Sequence, residues 1–176
     1  MSESARSKGS YLLLSLLIVV ADQWSKWLVE RYLPLHQPLE IIPSVLNFTH
    51  VRNTGVAFGM FAANGSSSGT LILTVLGLIA LVVVGLYFWR TSTQDRLMLT
   101  SLSLILGGAI GNLMDRLAAG SVTDFIDAYV GTYHWHTFNV ADSAITIGIC
   151  LMALEILLAG RKPTASPEPA DAGTSG

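Results

Sequence analysis

The chain has 176 residues, of which 51% are hydrophobic and only 12% are charged. About a quarter of the residues in a typical soluble domain are charged, so this composition excludes an ordinary soluble protein and indicates a membrane protein. The net charge of −2 argues against a nucleic-acid partner, and the single cysteine, Cys150, cannot form an intrachain disulfide.

Four apolar segments are long enough to cross a bilayer, which takes about 20 mostly apolar residues. They cover residues 10–28, 70–89, 97–114 and 141–160. The first could also be a secretory signal, because basic residues precede its apolar core. We favour a membrane span, since the segment continues to Trp24 and Trp27, which are typical of the aromatic belt at a helix end.

Basic residues alternate between the two sides of these spans. One side carries a pair at each short flank: Arg6 and Lys8, Arg90 and Arg96, Arg161 and Lys162. The opposite side carries Lys26, Arg31, Arg52 and Arg116. The positive-inside rule therefore predicts cytoplasmic termini. We expect one membrane domain over residues 1–162, extracytoplasmic segments at 30–69 and 116–140, and a disordered cytoplasmic tail at 163–176, which is rich in Pro, Ala, Ser and Gly.

The first outer segment contains strand and turn signals. Residues 45–51, "VLNFTHV", have the length and residue types of a short strand. The following "RNTG" predicts a turn, and "NGSSSGT" at residues 64–70 predicts another before the second span. In the second outer segment we interpret Asp127 of "SVTDFIDAYV" as a solvated loop carboxylate.

Ionisable residues at membrane depth are costly, so each one suggests a function. Asp22 and Lys26 lie four residues apart in the first span, with the acid first, which favours a structural ion pair over direct contact with a substrate.

The third span ends in "GGAIGNLMDR", which combines two signals. Gly107 and Gly111 form a GxxxG pattern that lets another helix approach closely. Asn112, Asp115 and Arg116 are spaced i, i+3, i+4 and therefore share one helix face, where we predict a polar network.

Asp142 stands at the start of the fourth span and has two interpretations. If Asn139 is the N-cap, Asp142 occupies the third helical position, where an acid suits the helix dipole. Alternatively, Asp142 pairs with Asp124, since the third and fourth spans run antiparallel and their outer ends can meet. Two close carboxylates share a proton, so one can activate a water while the other polarises a carbonyl. Such a site needs neither metal nor cofactor.

Two further constellations are weaker. His134 and His136 could bind a metal with Asp124 or Asp127, which is a weaker interpretation than the carboxylate pair. Cys150 lies within an apolar helix, away from any base, and is better explained by packing than by nucleophilic catalysis.

Five blocks in this order resemble the bacterial lipoprotein signal peptidases (signal peptidase II), which are integral inner-membrane aspartic peptidases. They are "DQWSKW", "RNTGVAFG", "GGAIGNLMDR", "VTDF" and "FNVADSAI", and the resemblance covers residues 12–159. It implies four transmembrane helices with a small extracytoplasmic β-domain, or cradle. The strand and turn signals in residues 40–61 agree with that β-domain.

The resemblance also implies roles for individual residues. The two catalytic aspartates of the family match Asp124 and Asp142. The polar residues around its scissile bond match Asn53, Asn112, Arg116 and Asn139. Supporting positions match Asp22, Lys26, Gly55, Ala57, Phe58, Gly108 and Asp115. The departures are Val56, where Ala is common, and Thr123, where Val is common; they bear on the shape of the pocket.

By the same resemblance, the substrates would be prolipoproteins that carry diacylglycerol on a cysteine, cleaved just before that cysteine. The expected partners are these substrates, membrane lipid and globomycin-type inhibitors, with no metal or cofactor, and the chain is expected to be a monomer. A small transporter or ion-binding membrane protein is the alternative. Transporters usually show repeated halves and helices broken near the midplane, and the sequence has neither.

Overall fold

The structure is a computed structural model that describes residues 3–55 and 68–159. Within them lie the helices α1 (Glu3–Tyr32), α2 (Ser68–Arg90), α3 (Arg96–Ala119) and α4 (Val140–Ala159). Each contains a stretch that is long and apolar enough to cross a membrane: Lys8–Tyr32, Gly69–Arg90, Arg96–Ala119 and Val140–Leu158. The predicted membrane architecture with four spans is confirmed.

Helix α3 is the centre of the bundle, because it packs against all three other helices and is the most buried of the four. Glycines bring its neighbours close. A Cβ atom on Gly107 would lie 2.8 Å from the carbonyl oxygen of Ser15 in α1, and one on Gly108 would collide with the carbonyl oxygen of Ala141 in α4. The GxxxG prediction is therefore correct for α1, and Gly108 provides the same close approach for α4.

At one end of the bundle, an apolar cluster and a buried lysine join the helices. Phe88 of α2 packs with Leu99 and Leu102 of α3, and all three are fully buried. Lys8 donates hydrogen bonds to the carbonyl oxygens of Phe88 (3.1 Å) and Trp89 (2.8 Å), near the C-terminal end of α2. A cation at this position satisfies exposed carbonyls and complements the helix dipole.

A four-stranded sheet lies at the opposite end of the bundle. Its strands are β1 (Leu39–Ile42), β2 (Leu46–Asn53), β3 (Val122–Val130) and β4 (Tyr133–His134). They follow the order β1-β2-β3-β4, and each neighbouring pair is antiparallel. The predicted β-domain is thus confirmed, and "VLNFTHV" contributes most of β2.

The structure corrects the prediction for residues 116–140, because the longest strand, β3, lies there rather than a loop. Asp127 is buried within it. Its carboxylate accepts a hydrogen bond from Asn47 (3.1 Å) and pairs with His134 Nδ1 (2.9 Å). The interpretation of Asp127 as a solvated loop carboxylate was wrong, because partners from two neighbouring strands satisfy the carboxylate.

Strand pairing places the ends of distant segments side by side. Asn53 lies opposite Val122, and Val51 lies opposite Asp124. Ile126 pairs with Phe138, which ties the segment that leads into α4 to the same strand. The sheet therefore positions both the end of β2 and the start of α4 next to Asp124.

The predicted "RNTG" turn begins at the end of β2. The side-chain oxygen of Asn53 accepts a hydrogen bond from the N–H of Gly55 (2.8 Å), which has a φ of +83° that suits glycine. Ala57 and Phe58, like most of the predicted turn at residues 64–70, lie outside the described residues.

Candidate active site

Asp142 takes part in both arrangements that its position suggested. Its N–H donates to the side-chain oxygen of Asn139 (2.9 Å), and the N–H of Asn139 donates to Asp142 Oδ2 (3.3 Å). This is a reciprocal capping box at the start of α4. The other carboxylate oxygen, Oδ1, accepts a hydrogen bond from Asn112 Nδ2 of α3 (2.7 Å). The cap therefore holds the carboxylate without using all of its acceptor capacity.

Asp124 is 2% exposed and reaches the same asparagine. It accepts hydrogen bonds from Asn139 Nδ2 (2.7 Å) and from Asn53 Nδ2 (2.9 Å). Asn139 thus contacts both Asp124 and Asp142, and it is fully buried between them. Strand β3 and the first turn of α4 bring the two sequence-predicted carboxylates together at one residue, whose side chain donates to Asp124 and whose backbone N–H donates to Asp142.

Burial raises the pKa of Asp124 from 3.8 to about 6. The hydrogen bond from Asn53 opposes this shift, and the negative charge of Asp142 adds to it. A carboxyl group with a pKa near neutrality can hold a proton for general acid catalysis.

A buried ammonium group stabilises the polar side chains behind the pair. Lys26 Nζ contacts Asp22 Oδ2 (2.7 Å), Asp115 Oδ2 (2.7 Å) and Asn112 Oδ1 (3.1 Å). The ion pair of Asp22 and Lys26 predicted from their spacing is present. Because Lys26 occupies the oxygen of the Asn112 amide, the amide nitrogen faces Asp142.

The first helix also holds the start of α4 in place. Asp22 Oδ1 accepts a hydrogen bond from the N–H of Ala141 (2.9 Å), one residue before Asp142. Gln23 donates to Asp115 Oδ1 (2.8 Å) and to the carbonyl oxygen of Gly111 (3.2 Å). Sequence reasoning did not select Gln23, although it lies within the "DQWSKW" block beside Asp22.

A second contact that the sequence did not reveal supports β3. The Thr123 hydroxyl donates to Glu30 Oε1 near the end of α1 (2.6 Å). Thr123 precedes Asp124, so this bond ties the strand that bears the carboxylate to the first helix. A valine here could not make it, which gives the departure at this position a structural consequence.

Arg116 belongs only in part to the polar network predicted for its helix face. Asp115 pairs with Lys26, while Arg116 donates a hydrogen bond to the carbonyl oxygen of Asn112 (3.3 Å). Among residues 3–55 and 68–159, Arg116 makes no ion pair. Its guanidinium therefore has donors that no described residue occupies.

The histidine and cysteine constellations considered from the sequence do not form beside Asp124 and Asp142. His134 contacts Asp127 rather than Asp124. In the described part of the chain, no three His, Cys, Asp or Glu side chains are grouped for a metal ion. Cys150 is exposed on α4.

The fold and this site define a multi-pass membrane protein with paired carboxylates where a small sheet meets the helix ends. The sequence pattern of the family described as "Signal peptidase (SPase) II" matches residues 14–158. The chain therefore belongs to the signal peptidase II family and is a peptidase. This membership removes the support for the transporter alternative.

Several relatives and solved structures agree with this membership. The chain is 45% identical over 141 residues to a lipoprotein signal peptidase of Solibacter usitatus, covering 80% of this chain and 86% of the relative. It is 41% identical over 159 residues to one of Coxiella burnetii (strain RSA 493), covering 89% and 95%. Two structures described as bacterial membrane enzymes superpose with TM-scores of 0.73 and 0.69. Their sequences are 33% and 35% identical, over 90% and 89% of this chain and 93% and 95% of theirs.

We predict that Lys26→Met destabilises the protein by about 3–5 kcal/mol, because it leaves Asp22 and Asp115 buried without their counter-charge. Thermal unfolding in detergent measures the effect. A triple variant that also carries Asp22→Asn and Asp115→Asn should recover at least half of the lost stability. An unchanged unfolding midpoint in Lys26→Met would contradict a stabilising role for this ion cluster.

Proposed function

We propose that the chain is an intramembrane aspartic endopeptidase that removes the signal peptide from diacylglyceryl-modified prolipoproteins, cutting just before the lipidated cysteine. Family membership and the names of the relatives support this substrate class. The observation that carries the mechanism is the buried residue Asn139, whose side chain donates to Asp124 and whose backbone N–H donates to the carboxylate of Asp142.

We assign the proton of the pair to Asp124 and the role of base to Asp142. Asp124 is the more deeply buried carboxyl group and has the raised pKa. Asp142 is partly accessible, and both of its oxygens accept N–H donors, as an ionised carboxylate does.

The reaction then follows from these two states. Asp142 takes a proton from a water molecule as the water oxygen attacks the scissile carbonyl carbon, and Asp124 gives its proton to the carbonyl oxygen. When the resulting tetrahedral intermediate collapses, the C–N bond breaks, Asp142 gives its proton to the leaving amine, and Asp124 takes back a proton from one hydroxyl of the intermediate. No metal, cofactor or nucleophilic side chain takes part.

The residues proposed to hold the substrate differ in how many of their hydrogen-bond donors are already used within the protein. Asn112 and Asn139 already direct their amide groups to the carboxylates, so they chiefly position the pair. Asn53 uses one donor on Asp124, and no described residue accepts from the other. Arg116 has donors that no described residue occupies, near the same helix end, and its planar guanidinium suits peptide carbonyl oxygens. We therefore assign substrate contact mainly to Arg116 and Asn53.

We place the protein in the bacterial inner membrane as a monomer, with both termini in the cytoplasm and the carboxylate pair at the outer face. Two observations support this orientation. Lys8, Arg90 and Arg96 lie at the helix ends opposite the sheet, as the positive-inside rule requires of a cytoplasmic side. A scissile bond at the outer face is also accessible to water, which the reaction consumes.

The proposed function is tested by incubating purified protein with a diacylglyceryl-modified prolipoprotein and following cleavage by gel shift. We predict that Asp124→Asn and Asp142→Asn each reduce kcat by at least about 1,000-fold, because residues that act as a unit lose nearly all activity when one is removed. Asp127→Asn is the matched control in the same strand, and it should retain wild-type turnover. Near-normal turnover by either dyad variant would refute the assignment.

The pH dependence tests which carboxyl group holds the proton. We predict that kcat/KM of the wild type falls as the pH rises above about 6, because Asp124 then loses the proton that it donates. Asn53→Ala removes a hydrogen bond that favours the ionised form of Asp124. It should therefore raise the pKa of Asp124 and move the alkaline limb to higher pH. A shift to lower pH would reverse the assigned roles.

Inhibitor binding tests Arg116. We predict that Arg116→Ala lowers substrate affinity and weakens inhibition by globomycin, each by about 10- to 100-fold, the effect of one lost charge-assisted hydrogen bond. Arg116→Lys should recover only part of either effect, because an ammonium group lacks the planar fork. Titration of inhibitor and substrate against both folded variants provides the measurement. If Arg116→Ala leaves both affinities unchanged, the residue is structural.

A further inference from the structure

A cavity of about 450 Å³ opens beside Asp142. One wall is the segment of residues 135–138, which leads from β4 to α4, and the other is formed by Asp142, Ser143, Thr146 and Ile147 of the first turns of α4. Ser143, Thr146 and Ile147 are partly or fully exposed, whereas α4 meets α3 through other residues, Ala141, Ile145 and Gly148. Neither the hydrolysis nor the capping of α4 requires this cavity.

The cavity extends from the proposed site toward the lipid-facing side of the bundle. It is lined both by Asp142 and by Ile147, which is 53% exposed within the apolar span Val140–Leu158. Five helical residues separate them, which is about 7.5 Å along the axis of α4. A group that fills the cavity therefore contacts the proposed catalytic base at one end and membrane hydrocarbon at the other.

The lining residues are complementary to an ester group with attached hydrocarbon. Trp135 and Phe138 provide aromatic surface. The Ser143 hydroxyl is engaged with the carbonyl oxygen of Asn139 (2.9 Å), whereas the hydroxyls of Thr137 and Thr146 form no hydrogen bond with other described residues. The hydroxyls of Thr137 and Thr146 can donate to ester oxygens, and the apolar surface of Trp135, Phe138 and Ile147 can contact the attached hydrocarbon.

The cavity is small compared with the membrane helix of the substrate. A helix with side chains is about 10–12 Å wide and rises 5.4 Å per turn, so one turn alone occupies roughly 450 Å³ or more. The cavity can hold about one such turn and not a spanning segment. A single large substituent fits, because small-molecule sites typically measure about 300–1,000 Å³.

We propose that this cavity is the subsite for the glyceryl group and the first acyl carbons of the lipid-modified cysteine. The proposal rests on the proposed function, because it assigns a position to the lipid of that substrate. With the scissile bond at the carboxylate pair, the thioether side chain of the next residue enters beside Asp142. Its acyl chains then leave over Ile147 into the membrane.

Thr146→Trp tests the subsite by filling it. Thr146 is exposed on α4, so the larger side chain displaces no helix contact. We expect the KM for a dipalmitoylglyceryl prolipoprotein to rise at least about tenfold with kcat within about twofold, as when binding energy common to ground and transition states is lost. Ile147→Trp should act in the same direction. Ile149→Trp is the control, because Ile149 is 54% exposed on the same helix and does not line the cavity.

Photocrosslinking distinguishes the substrate from bulk lipid as the occupant. A diazirine near the ester of the substrate's acyl chain should label residues 135–147 in the uncleaving Asp124→Asn variant, as read by mass spectrometry. A phospholipid that carries the same diazirine should label them less. Labelling by the phospholipid alone would overturn the proposal and assign the cavity to bulk lipid.

The failure of the subsite and the failure of the proposed function give different results. If the wild-type protein does not cleave the prolipoprotein, the proposed function is wrong. If the wild type cleaves it and both Thr146→Trp and Ile147→Trp have wild-type KM values, only the subsite is wrong.

Discussion

The arrangement of the site depends on the buried ammonium group of Lys26. A buried cation is tolerated only when anionic or polar partners surround it, and here Asp22, Asp115 and Asn112 supply them. These partners come from α1 and α3, so the ion cluster fixes the contact between the two helices. It also fixes the amide of Asn112, whose nitrogen then faces Asp142. One charge thereby sets both helix packing and the environment of a proposed catalytic group.

The second constraint is the helix start at Asn139. A helix end leaves N–H groups without partners, and the capping box uses Asp142 and Asn139 to satisfy them. The same asparagine reaches Asp124 with its side-chain nitrogen. The residue that caps α4 therefore also donates the hydrogen bond that offsets part of the cost of burying Asp124. Its raised pKa is the consequence of that burial and the property that the proposed mechanism uses.

The sheet and the lipid-facing cavity explain how such a site could act on a membrane-bound substrate. The pairing of β2 with β3 brings Asn53 to Asp124, and the bridge between Ile126 and Phe138 orients the segment that enters α4. That segment also forms one wall of the cavity beside Asp142. The sheet therefore aligns the carboxylate pair on one side and shapes a route to lipid on the other.

Local spacing determined much of this protein from the sequence alone. Apolar segment lengths predicted the four spans, and the spacing of Asp22 from Lys26 and of Asn139 from Asp142 predicted an ion pair and a cap that the structure contains. These features depend on residues within one or two helical turns, and helix geometry fixes their distances. The resemblance to a peptidase family added the site residues, whose catalytic roles remain proposals.

Three features became evident only in the tertiary structure: strand β3, the burial of Asp127, and the hydrogen bond between Thr123 and Glu30. Two aspartates, which are depleted in strands, interrupt the β-branched and aromatic residues of β3. Their partners lie far away in the chain: Asn47 is 80 residues from Asp127, and Glu30 is 93 residues from Thr123. The burial of a carboxylate or hydroxyl group becomes favourable only when folding delivers such a partner, and no local pattern encodes that delivery.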